Sequence, residues 1–177
     1  TLNEALNENK KGNATDIILN NNATLTEDTV IPEDTTVTVK NGATITVPDN
    51  KSLEINGKLE GANENTIINQ NEASWKNPAN GKEYYGSLKE ALDKASKEEG
   101  NIDVTLDQDA IIDGDTTIPD NIILVVPENK KLDVSGKLDI AGKLENQGDV
   151  TVKDGAELTV SGTLDNKGDI NLENSAK

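Results

Sequence analysis

The C-terminal half of the chain contains a short repeat that decides the fold. Leu144-Glu145-Asn146-Gln147-Gly148-Asp149-Val150 returns 20 residues later as Leu164-Asp165-Asn166-Lys167-Gly168-Asp169-Ile170. The stretch before it, Leu138-Asp139-Ile140-Ala141-Gly142, recurs at the same offset as Leu158-Thr159-Val160-Ser161-Gly162. A repeat of this length predicts a solenoid, in which each coil buries its apolar face only by stacking on its neighbours.

Pairs of aliphatic residues mark short strands along most of the chain. Successive pairs start about six to eight residues apart and are separated by Asn, Gly, Asp or Pro. This spacing is too short for hairpins of ordinary strands, so we predict three short faces per coil. We expect positive φ angles, which form sharp corners, at the glycines that follow these pairs. They are Gly136, Gly142, Gly148, Gly162 and Gly168.

A second, longer repeat divides the chain. Thr1-Leu2-Asn3-Glu4-Ala5-Leu6 matches Ser87-Leu88-Lys89-Glu90-Ala91-Leu92, and Asp28-Thr29-Val30-Ile31-Pro32 matches Asp115-Thr116-Thr117-Ile118-Pro119. Each half thus begins with a helix signal. In the second half, Ser87 and Glu90 form a capping box at the start of the predicted helix, and Gly100 ends that helix. A helix laid across the first coil would cover an open sheet end.

These repeats predict an all-β fold, a right-handed parallel β-helix built as two tandem modules. Module 1 spans residues 1–74 and module 2 spans residues 87–177, each with its own N-terminal capping helix. Residues 75–86 interrupt the pattern and form a linker or an inter-module clasp. A 20-residue coil agrees with the right-handed form, because left-handed hexapeptide solenoids repeat at about 18 residues.

Composition narrows the functional classes. The 177 residues carry a net charge of −16 and include no His and no Cys, and the sequence shows no Arg. A chain without a basic patch is unsuited to nucleic acid or to anionic membrane surfaces. Nucleophilic triads and thiolate metal sites are excluded. The 33 acidic residues leave glycoside hydrolysis open, but aromatics are only 2%, so we expect a protein that is not an enzyme.

All aromatic residues lie in the interrupting segment. They are Trp75, Tyr84 and Tyr85. One interpretation is that they pack at the clasp between the halves. The alternative is a ligand-binding platform, because three rings in one place can stack on a sugar.

The densest acidic stretch provides a candidate metal site. Asp107, Asp109, Asp113 and Asp115 alternate along a predicted turn, and Ca²⁺ takes six to eight oxygen ligands. The spacing departs from that of an EF-hand loop. The alternative is that these aspartates initiate turns and keep the corners soluble. Apart from Ca²⁺ at this turn, we expect no cofactor.

Two polar rows have structural interpretations. Asn146 and Asn166 occupy equivalent positions in successive coils and are expected to form a hydrogen-bonded ladder. Thr36, Thr38, Thr44 and Thr46 alternate as expected for the solvated face of a sheet.

The segment Tyr85-Gly86-Ser87-Leu88-Lys89-Glu90-Ala91-Leu92-Asp93-Lys94-Ala95, followed by the strand Ile102-Asp103-Val104-Thr105-Leu106, resembles the entry unit of pectate-lyase-like parallel β-helices. The steps Ile118-Pro119-Asp120-Asn121 and Val126-Pro127-Glu128-Asn129-Lys130 resemble repeat regions of Gram-positive cell-surface proteins. This resemblance covers nearly the whole chain and implies a right-handed solenoid and a surface location. It implies no active site.

The expected function is therefore a non-enzymatic extracellular segment of a bacterial surface protein, serving as a rigid stalk or a polar adhesive face. A carbohydrate-binding or carbohydrate-active β-helix is the alternative. The first residue, Thr1, suggests a segment excised from a longer surface protein. Expected partners are host or cell-wall glycans or matrix proteins.

Overall fold

The computed structural model describes residues 2–9 and 16–177, and it shows an all-β solenoid with two short helices in that part of the chain. The elements of the first half, residues 2–69, are α1 (Leu2–Asn9), β1 (Asp16–Leu19), β2 (Ala23–Thr24), β3 (Thr29–Ile31), β4 (Thr36–Val39), β5 (Ile45–Val47), β6 (Leu53–Ile55), β7 (Lys58–Glu60) and β8 (Ile67–Asn69).

A β-hairpin and the second half follow. The hairpin consists of β9 (Ala73–Lys76) and β10 (Glu83–Gly86). The second half, residues 88–177, contains α2 (Leu88–Ala95), β11 (Ile102–Leu106), β12 (Ala110–Ile112), β13 (Thr116–Ile118), β14 (Ile122–Val126), β15 (Lys131–Val134), β16 (Lys137–Ile140), β17 (Lys143–Asn146), β18 (Asp149–Val152), β19 (Glu157–Val160), β20 (Thr163–Asn166) and β21 (Asp169–Leu172).

Within each half the strands return to three sheets in rotation, and neighbouring strands are parallel. The first half contributes β1-β4-β7, β2-β5-β8 and β3-β6, and the second contributes β12-β15-β18-β21, β13-β16-β19 and β11-β14-β17-β20. Paired residues are 20 apart between β14 and β17, 18 apart between β15 and β18, and 24 apart between β3 and β6. The predicted parallel solenoid with three faces per coil is confirmed. Its right hand, the two-module division and the capping role of the helices stay predictions.

One sheet of eight strands joins the two halves. Its order is β20-β17-β14-β11-β9-β10-β6-β3, so the hairpin lies between the halves. Pairing across the hairpin is antiparallel at every step, from β6 to β10, from β10 to β9 and from β9 to β11. The interrupting segment is therefore part of the sheet and provides main-chain continuity between the halves.

The two hydrophobic cores lie on opposite faces of this shared sheet. Tyr85 pairs with Leu53, which is buried in the first core, whereas Tyr84 pairs with Glu54 on the other face. Tyr84 also pairs with Trp75, and Trp75 with Val104, all three buried in the second core. Directly paired residues point to the same side of a sheet, so the hairpin changes the buried face at the junction.

Helix α2 covers the second-core face of the junction. Its apolar stripe of Leu88, Ala91, Leu92 and Ala95 is buried against β9, β10 and β11. The Ser87 side chain caps the helix by accepting the Glu90 backbone N–H, as the sequence predicted. The helix ends earlier than expected, with Ser96 as its C-cap.

The prediction of positive φ at the five repeat glycines was wrong. Gly42, Gly61, Gly81, Gly100 and Gly155 are the glycines with positive φ among the described residues. The repeat glycines are required for another reason, which is close approach between coils. A Cβ on Gly142 would lie 2.1 Å from the carbonyl oxygen of Pro119, and one on Gly162 would lie 2.0 Å from that of Ala141.

The predicted asparagine ladder is present. Asn146 is fully buried and donates from Nδ2 to Asn166 Oδ1 at 2.7 Å and to the Asp169 carbonyl at 2.9 Å. Its Oδ1 accepts the Gly148 backbone N–H at 3.1 Å. The side chain thus satisfies a corner of its own coil and joins it to the next.

We expect Gly142→Ala to lower the free energy of unfolding by about 2–3 kcal/mol, because the added methyl group forces two coils apart. Gly114 has open space around the Cβ position and no positive φ, so Gly114→Ala is a matched control expected to be neutral or slightly stabilising. Urea unfolding of the two variants measures the difference. Equal effects would contradict the close-approach explanation.

Candidate functional site: the junction cleft

The hairpin places two of the three aromatic residues in the second core. Trp75 and Tyr84 are 5% and 0% exposed, and their rings stack with centroids 6.2 Å apart and planes 23° apart. The Lys94 ammonium of α2 lies 5.4 Å from the Tyr84 ring centroid. The Trp75 indole N–H is buried and has no hydrogen-bond partner among the described residues. This placement corresponds to the clasp interpretation for these two residues, whose ring faces are not accessible to a sugar.

The Tyr84 hydroxyl connects the hairpin to α2. It donates to Glu90 Oε2 at 2.5 Å. Burial raises the pKa of Tyr84, and the hydrogen bond and the charge of Glu90 raise it further. The phenol therefore remains a neutral donor. The Glu90 carboxylate thus accepts the Tyr84 hydroxyl. In the predicted capping box it would instead accept the backbone N–H of Ser87.

Tyr85 points to the opposite face, where a cleft of about 800 Å³ opens beside it. We call this the junction cleft. Its volume falls within the roughly 300–1,000 Å³ typical of ligand sites. The residues that line it include Leu59, Glu64, Ile67, Ile68, Asn69, Lys76, Glu83, Tyr85 and Asp107.

The cleft exists because the first half ends unevenly. In the shared sheet, β10 and β9 continue beyond β6, so that this wall extends past the last coil. The other two sheets of the first half stop at β7 and β8, whose outer edges pair with no described strand. The cleft therefore occupies the interior of a coil that has one wall and lacks the other two. Leu59 and Ile67, at the end of the first core, remain partly exposed.

Two polar networks line the walls. Tyr85 donates from its hydroxyl to Glu83 Oε2 at 2.6 Å, and Lys76 pairs with Glu83 Oε1. At the far end, Asn69 Nδ2 donates to Asp107 Oδ2 at 2.7 Å. Burial raises the pKa of Tyr85, as do the hydrogen bond and charge of Glu83 and the charge of Asp107. Three carboxylates (Glu64, Glu83 and Asp107) and one ammonium (Lys76) line the cleft, which makes it acidic.

The structure does not bring the four candidate Ca²⁺ ligands together. Among the described residues, no group of three or more Asp, Glu, His or Cys side chains could hold a metal ion. Asp107 accepts the Asn69 amide in the cleft, while Asp109 accepts the Lys131 backbone N–H of the next coil at 2.9 Å. Asp113 and Asp115 lie on either side of Gly114, before β13. Ca²⁺ binding at this turn stays a prediction.

Sequence reasoning located part of this cleft. It named Tyr85 and Asp107, although for different sites. It did not identify Glu83, Lys76 or Asn69, which become neighbours only through the hairpin pairing. The alternation Lys76, Glu83 and Tyr85 around the turn at 77–82 was an available hairpin signal.

Comparisons with known proteins add no assignment. No family model, no curated protein and no solved structure matches this chain. Neither of the described helices has the length and apolar character that crossing a membrane requires.

A second interaction couples the halves across the shared sheet. Glu54 on β6 accepts the Lys94 ammonium of α2 at 2.5 Å and the Asn56 amide at 2.8 Å. Partial burial raises the pKa of Glu54, but the hydrogen bonds from Lys94 and Asn56 and the charge of Lys94 outweigh it, and the net pKa is lowered. The ionised carboxylate therefore stabilises the folded junction.

We expect this contribution to disappear in acid. Because the folded pKa is depressed, the stabilisation is complete above the ordinary value of 4.5 and is lost as the pH falls through the folded pKa. Glu54→Gln should lower stability by about 0.5–1 kcal/mol at pH 7, with the difference from the unsubstituted chain shrinking below about pH 4. Thermal unfolding between pH 7 and 3 measures this, with exposed Glu128→Gln as control. A pH-independent difference would contradict it.

Proposed function

We propose that the protein is a non-enzymatic structural or adhesive segment of a bacterial surface protein, acting outside the cell as a rigid stalk with a polar binding face. The observation that supports this is the shared sheet. It continues by main-chain pairing through the junction, so no unpaired linker separates the halves. Eight strands at about 4.8 Å spacing span roughly 34 Å.

The finer architecture belongs to the same proposal. We take the chain as two tandem right-handed β-helix modules, with α1 and α2 covering their first coils. Leu2 and Leu6 of α1 are buried in the first core, and Asn3 donates to Thr29 Oγ1 of β3 at 2.9 Å. Leu88, Ala91, Leu92 and Ala95 of α2 are buried in the second core.

Rigidity is tested with paired spin labels, which the chain accepts readily because it has no cysteine. Asn50→Cys with Asn129→Cys labels both halves, and Asn129→Cys with Asn171→Cys labels the second half alone. All three positions are exposed. We expect the distance distribution between halves to be as narrow as that within one half. A broad or bimodal distribution between halves would rule out a rigid stalk.

Carbohydrate binding is the second candidate, and the observation that favours it is Tyr85 beside the Glu83 and Asp107 carboxylates in the junction cleft. Aromatic rings with adjacent hydrogen-bonding groups suit sugars.

An array of glycans and host matrix proteins, probed in Ca²⁺ and in chelator, tests the binding role. If the cleft binds glycans, Tyr85→Ala should reduce retention about tenfold, because the ring supplies the stacking surface. Exposed Ile111→Ala, outside the cleft, should have no effect. Retention that requires Ca²⁺ would reopen the aspartate turn as a metal site, and retention unaffected by Tyr85→Ala would exclude the cleft. A blank array favours a stalk alone.

A further inference from the structure

The free edge of β8 borders the junction cleft. Among the strands of residues 16–177, β8 pairs with β5 alone, on one side. On that side the Thr66 carbonyl accepts the Ile45 N–H at 2.8 Å, and the Gln70 N–H donates to the Val47 carbonyl at 2.9 Å. Hydrogen bonding alternates along a parallel strand, so the N–H and C=O of Ile67 point away from β5.

The lining of the cleft agrees with this orientation. Ile67 points toward the first core and Ile68 points outward, yet both line the cleft. Neighbouring residues of a strand face opposite sides. Both contact the same space only if the cleft runs along the edge of the strand, and the edge is where the unpaired backbone groups lie.

The junction itself shows how such an edge is completed. Strand β6 is the last strand of the first half in the shared sheet, and β10 pairs with it antiparallel. Strand β8 has the corresponding position in its own sheet and lacks such a partner among the described residues. Addition of an extended segment to β8 would build a second wall around the incomplete coil. This is β-strand addition at an exposed edge.

We infer that the junction cleft binds an extended, cationic segment of a partner protein, which pairs through its backbone with β8. One side of the added strand would face the apolar surface of Leu59, Ile67 and Tyr85. Cationic residues at the alternate positions would lie near the acidic rim, which includes Glu64. The excess of carboxylates in the cleft and the net charge of −16 favour a positively charged partner segment. This inference goes beyond the stalk and does not depend on it.

A glycan is less well matched to the same cleft. The Tyr85 hydroxyl and both Glu83 carboxylate oxygens are already engaged with each other or with Lys76. Asn69 and Asp107 are likewise bonded to each other. At the edge of β8, the Asn69 carbonyl accepts the Gln108 side-chain amide at 3.3 Å. The Ile67 N–H and C=O remain in the geometry of a strand edge, which a peptide completes.

The test uses the full chain and a labelled, end-capped hexapeptide of alternating Val and Lys. We expect saturable binding in fluorescence anisotropy at low salt, weaker at high salt, together with slower hydrogen exchange at the Ile67 amide. A matched peptide, N-methylated at alternate amides on the edge that meets β8, should bind at least about tenfold more weakly because it lacks the donors.

Charge substitutions at exposed positions test binding without disturbing the folded core. Glu64→Lys, at an exposed rim position, should weaken peptide binding about fivefold at low salt, whereas Glu128→Lys, exposed in the second half, should not. The inference is overturned if the hexapeptide does not bind, if the N-methylated peptide binds equally well, or if Ile67 exchange is unchanged. It is also overturned if neutral oligosaccharides displace the peptide with higher affinity.

Discussion

A parallel solenoid is governed by a hydrogen-bonding constraint, because each strand offers half of its backbone groups to the following coil. Along the interior of the stack these groups are paired automatically, and the problem arises only where a stack ends. In this chain one end occurs in the middle of the molecule, between β6–β8 and β11–β13. The hairpin, helix α2 and the junction cleft all follow from how that end is treated.

The hairpin pairs the free strand edge in only one of the three sheets of the first half. Strands β10 and β9 connect β6 to β11 through three antiparallel pairings, so β6 and β11 run in opposite directions, and the two cores occupy opposite sides of the shared sheet. Tyr84 and Tyr85 are adjacent in sequence and therefore face opposite sides of the sheet. Tyr84 is buried in the second core, whereas Tyr85 lines the junction cleft. The structural role of the aromatic segment and the presence of a ligand-sized opening thus have one cause.

The sequence was most informative where the chain repeats. The aliphatic pairs predicted the strands of the second half, and the 20-residue repeat predicted the stacking of β16 on β19 and of β17 on β20, because in-register stacking requires equivalent residues at equivalent positions. Asn146 bonding to Asn166 follows directly from that register. The role of the repeat glycines was predicted wrongly, since a sharp corner and a close contact between coils both favour Gly. The φ angle of Gly142 and its distance to the preceding coil distinguish the two roles. Strands β2 (Ala23–Thr24) and β3 (Thr29–Ile31) lack the aliphatic pair two residues apart that marks many of the other strands, so the sequence pattern does not predict them.

The site was harder to predict than the fold. The sequence pattern predicts Asp107 as a metal ligand together with the neighbouring aspartates, but its hydrogen-bond partner, Asn69, lies 38 residues earlier on another element. Non-repeating contacts of this kind depend on the antiparallel hairpin, and no periodicity records them.

In-register stacking also shapes the charge of the molecule. It places Glu145 beside Asp165 and Asp149 beside Asp169, and like charges directly opposite one another destabilise a sheet. Lys143 lies between two such carboxylates, pairing with Glu145 and reaching Asp165 at 3.7 Å, and Lys153 similarly joins Asp133 and Glu173. Lys143 and Lys153 thus offset repulsion between the carboxylates of stacked coils. With 33 acidic and 17 basic residues the remaining carboxylates outnumber them, so the surface offered to a partner is acidic, and cationic segments are the partners that this surface attracts.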